Sequence, residues 1–256
     1  MKQAERAIYP DLQGRAVFIS GGATGIGAAL VEAFAKQGAN TGFVDIDSQA
    51  GDALANRLQQ AGCRVEFYHC DITDIKGYQS TIRLAAEHLG SIAVLINNAA
   101  NDVRHSLASL TEQRYDELLD VNIKHAMFAA QTVAPMMKEI GGGSIINFGS
   151  VGWMMATGGY PTYGMSKAAM HGLTRSLARD LGQYGIRVNT LVPGWVMTEK
   201  QLRLWVDEAA EEKIKQGQCL PNKVMPEHIA NMALFLASDS AVMCSAQNFI
   251  VDGGWV

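Results

Sequence analysis

Residues 15–38, RAVFISGGATGIGAALVEAFAKQG, contain the pattern that decides the fold: an apolar run, a glycine-rich turn and a segment of helical period. Gly21, Gly25 and Gly27 fit the spacing G-x3-G-x-G, after the run and before the helix-like segment. Glycines there allow the backbone to approach a pyrophosphate closely, and the helix N-terminus supplies free N–H groups. A glycine turn can also be purely steric, but its place between a strand and an amphipathic helix predicts a dinucleotide site.

The same alternation of apolar runs and helix-like segments continues to the end of the chain. Gly38, Gly62, Gly90 and Gly185 stand where helix-ending glycines are expected. The pattern predicts an α/β fold: one doubly wound domain with a seven-stranded, mostly parallel sheet and helices on both faces. The predicted strands are RAVFIS (15–20), TGFVDI (41–46), RVEFYHC (64–70), IAVLIN (92–97), GSIINFG (143–149), IRVNTLV (186–192) and QNFIVD (247–252).

No shift in composition marks a domain boundary along the chain. We therefore expect a short N-terminal extension at residues 1–12 and a single dinucleotide-binding catalytic domain at residues 13–256. The least regular region is about 194–225, whose centre EAAEEKIKQ looks helical but solvated. An ordinary surface helix would explain it, but its position after a strand end favours a lid over a substrate site.

The composition excludes several classes of partner. The 256 residues are 48% apolar and 18% charged, and the formal net charge of −4 gives no basic surplus for nucleic acid or an anionic membrane. No apolar stretch approaches a membrane span, and the N-terminus lacks the apolar core of a signal peptide. The four cysteines form no CxxC, which favours reduced thiols and a cytoplasmic location. His69 and Cys70 lack a second close pair, so we expect no metal site.

Asp45 indicates which dinucleotide binds. It closes the second predicted strand, twenty residues after Gly25, where a carboxylate can accept hydrogen bonds from the adenosine ribose hydroxyls and repel a 2′-phosphate. No basic residue lies beside it, which predicts NAD rather than NADP. Alternatively, Asp45 could cap the next helix, although Asp47 and Ser48 are better placed for that. Asp71, at the end of the third strand, is expected near the adenine, or else to start a turn.

The stretch YPTYGMSK, residues 160–167, contains two tyrosines and one lysine. If a helix begins near Tyr163, Lys167 lies one turn later on the same face. A cation at that distance lowers the pKa of a phenol, whose ordinary value is about 10. Pro161 separates Tyr160 from the helix, so Tyr163 is the candidate acid/base.

These features occur together in one known family. The glycine turn, NNAA at 97–100, Asn122, Ser150, the YxxxK of Tyr163 and Lys167, and Pro-Gly at 193–194 resemble the short-chain dehydrogenase/reductase family from about residue 12 to the end of the chain. The resemblance implies a Rossmann-type sheet, a nicotinamide cofactor and a homotetramer or dimer. Ala100 departs from the family, which usually has glycine there.

Several segments are similar to a narrower group, the bacterial aldose 1-dehydrogenases, above all the D-xylose 1-dehydrogenase type. These segments are AIYPDL (7–12), NNAANDVRH (97–105), INFGSVGW (146–153), VPGWVMT (192–198) and QCLPNKVMPEHIA (218–230). The similarity implies NAD-dependent oxidation of the C1 (anomeric) hydroxyl of an aldose such as D-xylose, L-arabinose or D-galactose to the aldonolactone. A polyol or secondary-alcohol dehydrogenase, or a ketone reductase, remains an alternative. A non-catalytic dinucleotide sensor ranks lower, because the catalytic residues are all present.

By the same resemblance, Tyr163 is the acid/base, Lys167 lowers its pKa and holds the nicotinamide ribose, Ser150 binds the reacting oxygen, and Asn122 anchors a water that links Lys167 to solvent. Taken singly, each would be an ordinary cap, turn residue or surface pair. The implied cofactor residues are Gly21, Thr24, Gly25, Ile26, Gly27, Asp45, Ile46, Asp71, Ile72, Asn98, Ala99, Ala100, Tyr163, Lys167, Pro193, Gly194, Val196 and Thr198.

A sugar pocket needs several polar groups and an aromatic surface, and both follow predicted strands. The expected substrate residues are Asn101, Asp102, Arg104, His105, Ser150, Trp153, Met154 and Trp195. A local ion pair on a loop would equally explain Asp102 and Arg104. For Met154, apolar packing at the mouth of the site is the favoured interpretation.

Overall fold

The structure is a computed structural model, and it describes residues 7–256 of the chain. Residues 1–6 of the predicted N-terminal extension lie outside the described residues. The rest of that extension is attached to the domain, because Leu12 is fully buried in the core and the Tyr9 N–H donates to Gln37 Oε1 at 2.8 Å.

One sheet of seven strands runs through the described residues, and every neighbouring pair is parallel. The order is β3-β2-β1-β4-β5-β6-β7. The doubly wound α/β prediction is confirmed, and the sheet expected to be mostly parallel is parallel throughout. The strands are β1 (Ala16–Ser20), β2 (Asn40–Asp45), β3 (Val65–His69), β4 (Ile92–Asn97), β5 (Gly143–Phe148), β6 (Ile186–Pro193) and β7 (Asn248–Val251).

Helices cover both faces of the sheet. The helices are α1 (Gly25–Lys36), α2 (Ser48–Gln60), α3 (Ile75–Leu89), α4 (Glu112–Leu119), α5 (His125–Glu139), α6 (Pro161–Leu181), α7 (Glu199–Leu204), α8 (Glu208–Gly217) and α9 (Pro226–Ala237). Helices α1, α2 and α9 share one apolar core, and α3, α5 and α6 share the other.

Burial on both faces explains why the strands read as continuous apolar runs. All five residues of β1 are buried. Phe34 of α1 packs on one side of the sheet and Tyr78 of α3 on the other, both fully buried. Burying a side chain of this size contributes about 1.5–3 kcal/mol, so the two cores hold the strand ends in fixed positions.

The helix ends follow local rules that the sequence shows. Gly38, Gly62, Gly90 and Gly185 all have positive φ, between +73° and +100°. A residue with a β-carbon would be strained there, which confirms their assignment as helix-ending glycines. At the start of α2, the Asp47 carboxylate accepts from the Ala50 N–H at 3.0 Å.

The strand order places a ligand crevice beside β1. Strand β1 lies between β2 and β4, so the connections leaving β1 and β4 diverge to opposite faces of the sheet. In open α/β sheets, ligands bind at this point, outside the carboxyl ends of the strands. Among the described helices, none is long and apolar enough to cross a membrane.

The segment predicted as a lid, 194–225, contains α7 and α8. Its two ends meet in a parallel bridge between Val196 and Val224, where the Met197 N–H donates to the Val224 carbonyl at 2.8 Å. EAAEEKIKQ forms α8 as predicted, but it is not solvated on all sides, because Ala210 and Ile214 are buried.

Candidate active site

A cavity of about 930 Å³ lies at the carboxyl ends of the central strands. This volume is near the upper end of the usual range for small-molecule sites. Every predicted cofactor residue lines the cavity: Gly21, Thr24, Gly25, Ile26, Gly27, Asp45, Ile46, Asp71, Ile72, Asn98, Ala99, Ala100, Tyr163, Lys167, Pro193, Gly194, Val196 and Thr198.

The glycine turn has no room for side chains. A β-carbon on Gly27 would lie 1.7 Å from the Gly21 carbonyl oxygen, and one on Gly21 would lie 2.8 Å from Ala99 Cα. Asn98 Nδ2 supports the turn by donating to the carbonyls of Gly21 and Ser20 at 2.9 and 3.1 Å. The result is a bare backbone surface at the N-terminus of α1, which fits a pyrophosphate.

Asp45 ends β2 on the wall of this cavity. One carboxylate oxygen accepts from the Ala23 N–H at 3.0 Å and the other from the Asp47 N–H at 3.1 Å. Asp47, not Asp45, caps α2, so the capping alternative for Asp45 is wrong. A carboxylate accepts about four hydrogen bonds, and Asp45 therefore retains acceptor capacity towards a ligand.

Asp71 starts a turn, which is one of the two roles that the sequence left open. Its Oδ1 accepts from the N–H and the hydroxyl of Thr73 at 2.9 and 2.8 Å, so it does start a turn. It also lines the cavity, beside the buried Ile72. The turn therefore fixes the carboxylate at the cavity edge.

Ser150, Tyr163 and Lys167 meet at the opposite end of the cavity. Helix α6 begins at Pro161, which puts Tyr163 in its first turn and Lys167 one turn later. Lys167 Nζ lies 5.6 Å from the centre of the Tyr163 ring and donates to the Phe148 carbonyl at 2.9 Å. Ser150 follows β5, and its Oγ accepts from the Gly152 N–H at 3.1 Å.

Burial has the largest effect on the pKa values of Tyr163 and Lys167. It raises the pKa of Tyr163 above its ordinary value, and the hydrogen bond to Ser150 acts in the opposite direction. Burial also lowers the pKa of Lys167 to about 8. The effect expected of Lys167 on the pKa of Tyr163 stays a prediction; in the protein alone, the ammonium donates to the Phe148 carbonyl.

Asn122 does not line the cavity, although it lies next to it in the fold. It is fully buried in a π-helical turn, Asp120–Lys124, between α4 and α5. Such turns are frequent at functional sites. Asn122 Oδ1 accepts from the Asn101 N–H at 2.8 Å, and its Nδ2 donates to the Asn101 carbonyl at 3.0 Å. The side chain therefore fixes the loop that follows β4.

Asp102 joins that loop to the 194–225 segment. Its Oδ1 lies 2.6 Å from Lys200 Nζ, and its Oδ2 accepts from Gln201 Nε2 at 3.0 Å. Burial raises the pKa of Asp102, but its hydrogen bonds and the charge of Lys200 outweigh that effect and hold the pKa below its ordinary value. The alternative of a local ion pair with Arg104 is wrong, because the partner lies 98 positions away along the chain.

Arg104 contacts two aromatic rings instead of a carboxylate. Its guanidinium carbon lies 3.9 Å from the centre of the Tyr160 ring and 5.0 Å from that of Trp205. Arg104 thus links the start of α6 to the end of α7, and it lines the cavity together with Asn101.

Trp195 has a partner that the sequence did not reveal. Its indole N–H donates to Gln201 Oε1 at 3.0 Å, and its ring lies 6.4 Å from Trp255 at an interplanar angle of 28°. Asp252 folds the C-terminus back by accepting from the N–H groups of Gly254, Trp255 and Val256. Trp255 therefore lines the chain's own cavity, a placement with no local signal in the sequence.

Three predicted substrate residues, His105, Trp153 and Met154, are not on the cavity wall. His105 is tied to the loop before α6, since its N–H donates to the Gly159 carbonyl at 2.8 Å. Residues 151–156 form a turn that carries Trp153 outward, edge-to-face on His171 at 5.0 Å. The same turn places Met155 instead of Met154 on the wall.

The residues that sequence reasoning missed come mainly from the turn after β5, the start of α6 and the 194–225 segment. The cavity wall also contains Gly152, Met155, Thr157, Tyr160, Lys200, Gln201, Arg203, Lys213 and Trp255. Across residues 7–256, no cluster of three or more His, Cys, Asp or Glu side chains could hold a metal ion.

Comparison with known proteins relates the chain to dehydrogenases and reductases. A family model described as "Enoyl-(Acyl carrier protein) reductase" matches residues 21–256. A protein of Rhizobium meliloti (strain 1021), named "Probable galactose dehydrogenase GalD", is 43% identical over 247 residues, which cover 96% of each chain. A D-xylose 1-dehydrogenase of Caulobacter vibrioides is 41% identical over 249 residues, covering 97% of this chain and 98% of the relative.

A solved structure extends the comparison to three dimensions. It is a blue fluorescent protein from a metagenomic library in complex with NADPH. The two chains are 32% identical and superpose with a TM-score of 0.88, over 96% of this chain and 99% of that one. Similarity in sequence and in fold therefore extends over nearly the whole chain.

Proposed function

The chain belongs to the short-chain dehydrogenase/reductase family of oxidoreductases, and from this premise we propose its activity. The proposed activity is NAD-dependent oxidation of the C1 hydroxyl of an aldose, such as D-xylose, L-arabinose or D-galactose, to the aldonolactone. One observation carries it: Ser150, Tyr163 and Lys167 meet on the wall of a cavity that the glycine turn also lines. The names of the two sugar dehydrogenase relatives support an aldose as substrate.

The proposed cofactor site fits NAD through the bare glycine turn and Asp45. The turn would hold the pyrophosphate, because its N–H groups and the dipole of α1 favour an anion. Asp45 would accept from the adenosine ribose hydroxyls and repel a 2′-phosphate. When bound, the nicotinamide supplies the hydride acceptor.

The chain's own residues handle the proton. Tyr163 takes the proton of the C1 hydroxyl, and Ser150 donates a hydrogen bond to the same oxygen, so the two hydroxyls hold that oxygen between them. Lys167 stabilises the phenolate by its charge. Because a pKa of about 8 leaves the amine mainly protonated at neutral pH, it supplies this charge and can pass a proton on towards solvent.

Charge near the phenol must offset its burial for this proton transfer to occur. Burial raises the pKa of Tyr163, while Ser150 and the guanidinium of Arg104 lower it. The lysine would be most effective if its ammonium turned from the Phe148 carbonyl towards the phenol and a bound ribose. We therefore propose that ligand binding completes the catalytic arrangement, which is common because catalytic hydrogen bonds are often long before substrate binds.

Asn122 keeps a supporting role in this scheme. Its amide is bound to the Asn101 backbone, yet an amide has a second donor hydrogen and a second lone pair. The same group can hold a water that leads from Lys167 to solvent. Loss of Asn122 would disturb both the loop and the proton path.

The proposed sugar pocket lies between the loop after β4 and the lid. Asn101, Asp102 and Arg104 provide polar groups on one side. Trp195 and Trp255 provide an aromatic surface for the CH face of a sugar. The 194–225 segment would close this pocket as a lid.

We further propose a homotetramer, or a dimer, in the cytoplasm. Apolar side chains near the sheet edge support association: Met243 is 91% exposed, and Ile250 of the edge strand β7 is also exposed. The four cysteines are free thiols, as a reducing compartment requires. Light scattering of the purified protein and cell fractionation test these two points.

A substrate panel tests the proposed activity. The protein is incubated with aldoses and with polyols, each with NAD and with NADP, and the absorbance of the reduced cofactor is followed. Oxidation of an aldose with NAD, with the lactone or aldonic acid identified as product, supports the proposal. Turnover of polyols alone would replace it with a polyol dehydrogenase.

A further inference from the structure

Tyr160 is the tyrosine of YPTYGMSK that the proposed reaction does not use, yet it lines the same cavity. It stands directly before α6, and only 7% of its surface is exposed. Its ring packs edge-to-face on Tyr163, with the ring centres 5.2 Å apart. A second phenol is therefore held beside the proposed acid/base.

Three parts of the chain fix the Tyr160 ring. Pro161 occupies the first position of α6 and restricts the backbone. Arg104, from the loop after β4, places its guanidinium 3.9 Å from the ring centre, and the same guanidinium lies 5.0 Å from Trp205 of the lid. A cation–π contact of this kind stabilises the position of the ring.

The hydroxyl of Tyr160 is close to that of Ser150. A β-carbon on Gly152 would lie 2.9 Å from the Tyr160 hydroxyl and 3.3 Å from Ser150 Oγ. Both oxygens therefore lie next to Gly152, at the position that the β-carbon of any other residue would approach. Gly152 donates its N–H to Ser150 Oγ, but the Tyr160 hydroxyl has no hydrogen-bond partner within the described part of the chain. A positioned phenol of this kind normally binds something.

We infer that Tyr160 is a specificity-determining residue, whose hydroxyl forms a hydrogen bond with a sugar hydroxyl other than the one that is oxidised. Ser150 and Tyr163 are occupied by the reacting oxygen, and Tyr160 is the neighbouring free donor and acceptor. Arg104 acts through it, as a positioning residue that holds the ring. The inference rests on the proposed oxidation of an aldose.

The test compares the wild type with Tyr160→Phe at saturating NAD, using the preferred aldose and its monodeoxy analogues. Tyr160→Phe retains the ring and its contact with Arg104 but removes the hydroxyl. We expect KM for the parent aldose to rise about three- to tenfold, the effect of losing one net hydrogen bond, with kcat changed less than twofold. On the one analogue that lacks the recognised hydroxyl, the two enzymes should have the same KM.

Tyr184→Phe is a matched control. Tyr184 also has a cation 3.9 Å from its ring centre, Lys138 Nζ, but it lies on the surface outside the cavity. This variant also loses a phenol hydroxyl, and its KM and kcat should equal those of the wild type on every sugar. Gly152→Ala is a second variant, because its β-carbon displaces the Tyr160 hydroxyl. Like Tyr160→Phe, this variant should raise KM for the parent aldose but not for the analogue that lacks the recognised hydroxyl.

Three results would overturn the inference: an unchanged KM for Tyr160→Phe, a loss confined to kcat, or a rise in KM that persists on every analogue. Melting temperatures of the variants show whether each protein is folded. A wild type that oxidises no aldose would defeat the proposed function, and the inference with it. A wild type that oxidises an aldose while Tyr160→Phe behaves identically defeats the inference alone.

Discussion

Lys167 lies 5.6 Å from the centre of the Tyr163 ring, yet its ammonium donates to the main-chain carbonyl of Phe148 at 2.9 Å. The two groups share one face of α6, but the charge is not directed at the phenol oxygen. Burial raises the pKa of the phenol and lowers that of the amine to about 8. The pair is therefore assembled in the fold, and the proposed proton transfer would require a ligand that changes the surrounding charge.

Tyr163→Phe should abolish most turnover. Positioned acid/base catalysis contributes about 10²–10⁴-fold, so we expect kcat to fall by that factor while the dissociation constant for NADH changes little. Steady-state kinetics and fluorescence titration of NADH measure the two quantities. Tyr184→Phe serves as the control, and turnover near that of the wild type in Tyr163→Phe would remove the phenol from the mechanism.

Lys167→Met should change how stability depends on pH. The folded-state pKa of about 8 lies below the ordinary value of 10.5, so between these values the unfolded chain binds more protons and the wild type gains stability as pH rises. The variant should lack this gain, which amounts to about 2–3 kcal/mol over the window. The raised pKa of Tyr163 acts in the opposite direction above pH 10, but it is present in both proteins.

Urea unfolding at several pH values from 7.5 to 10 measures this difference. If the free energies of unfolding of the two proteins stayed parallel across that range, the amine would not be held in a desolvated site. Catalysis should fall as well in Lys167→Met, because the proposed mechanism uses the same charge.

Asp45→Asn should relax the preference for NAD. The amide retains an acceptor for the Ala23 N–H but loses the charge that would repel a 2′-phosphate. We expect the ratio of kcat/KM for NADP to that for NAD to rise by about tenfold, equivalent to 1.4 kcal/mol. Asp74→Asn, at the cap of α3 and away from the cavity wall, is the control and should leave the ratio unchanged. An unaltered ratio in Asp45→Asn would mean that other residues set the preference.

Much of the fold could be predicted because it is encoded locally. Each predicted strand matches an observed strand to within one or two residues, since burial on both faces produces a continuous apolar run that glycine turns delimit. Apart from Tyr163 and Lys167 on α6, the residues proposed for the cofactor lie at or soon after strand ends, so strand prediction also placed them. The roles of Asp47 as a helix cap and of the helix-ending glycines could also be predicted, because both depend on only four or five neighbouring residues.

The substrate end of the site depends on contacts that no local pattern contains. The sequence left Asp102 either as a substrate residue or in a local ion pair, but its partners Lys200 and Gln201 come from a segment that reaches it only in the folded chain. Trp255 reaches the cavity because Asp252 folds the C-terminus back. Trp153 points away because of a turn whose backbone path its sequence does not specify.

His125→Phe should make the protein less sensitive to acid. His125 is fully buried at the start of α5, and its Nε2–H donates to the Ala99 carbonyl at 3.2 Å. Burial lowers its pKa to about 3, and the charge of Lys167 adds to that effect. Between pH 6.5 and 3 the unfolded chain binds a proton that the folded chain does not, so stability falls on acidification by about 3–5 kcal/mol from this group.

The phenylalanine variant should be less stable at pH 7, by about 1–3 kcal/mol, because the Ala99 carbonyl loses its partner. Its free energy of unfolding should nevertheless fall less steeply than that of the wild type as pH decreases from 6.5. Chemical unfolding at pH 7, 6, 5 and 4 gives both slopes, and equal slopes would contradict a neutral buried imidazole.

Asp102→Asn should loosen the lid without unfolding the protein. The amide can still accept from Gln201, but it loses the charge that holds Lys200. A partly exposed ion pair contributes less than about 1 kcal/mol to stability, so the melting temperature should hardly change. Hydrogen–deuterium exchange should rise in α7 and α8, while the central strands stay protected, and KM for the sugar should increase.

Lys223→Met removes the ion pair with Glu211 in the same segment, away from the cavity wall, and is the matched control. Equal exchange in the two variants would mean that the loop after β4 does not hold the lid.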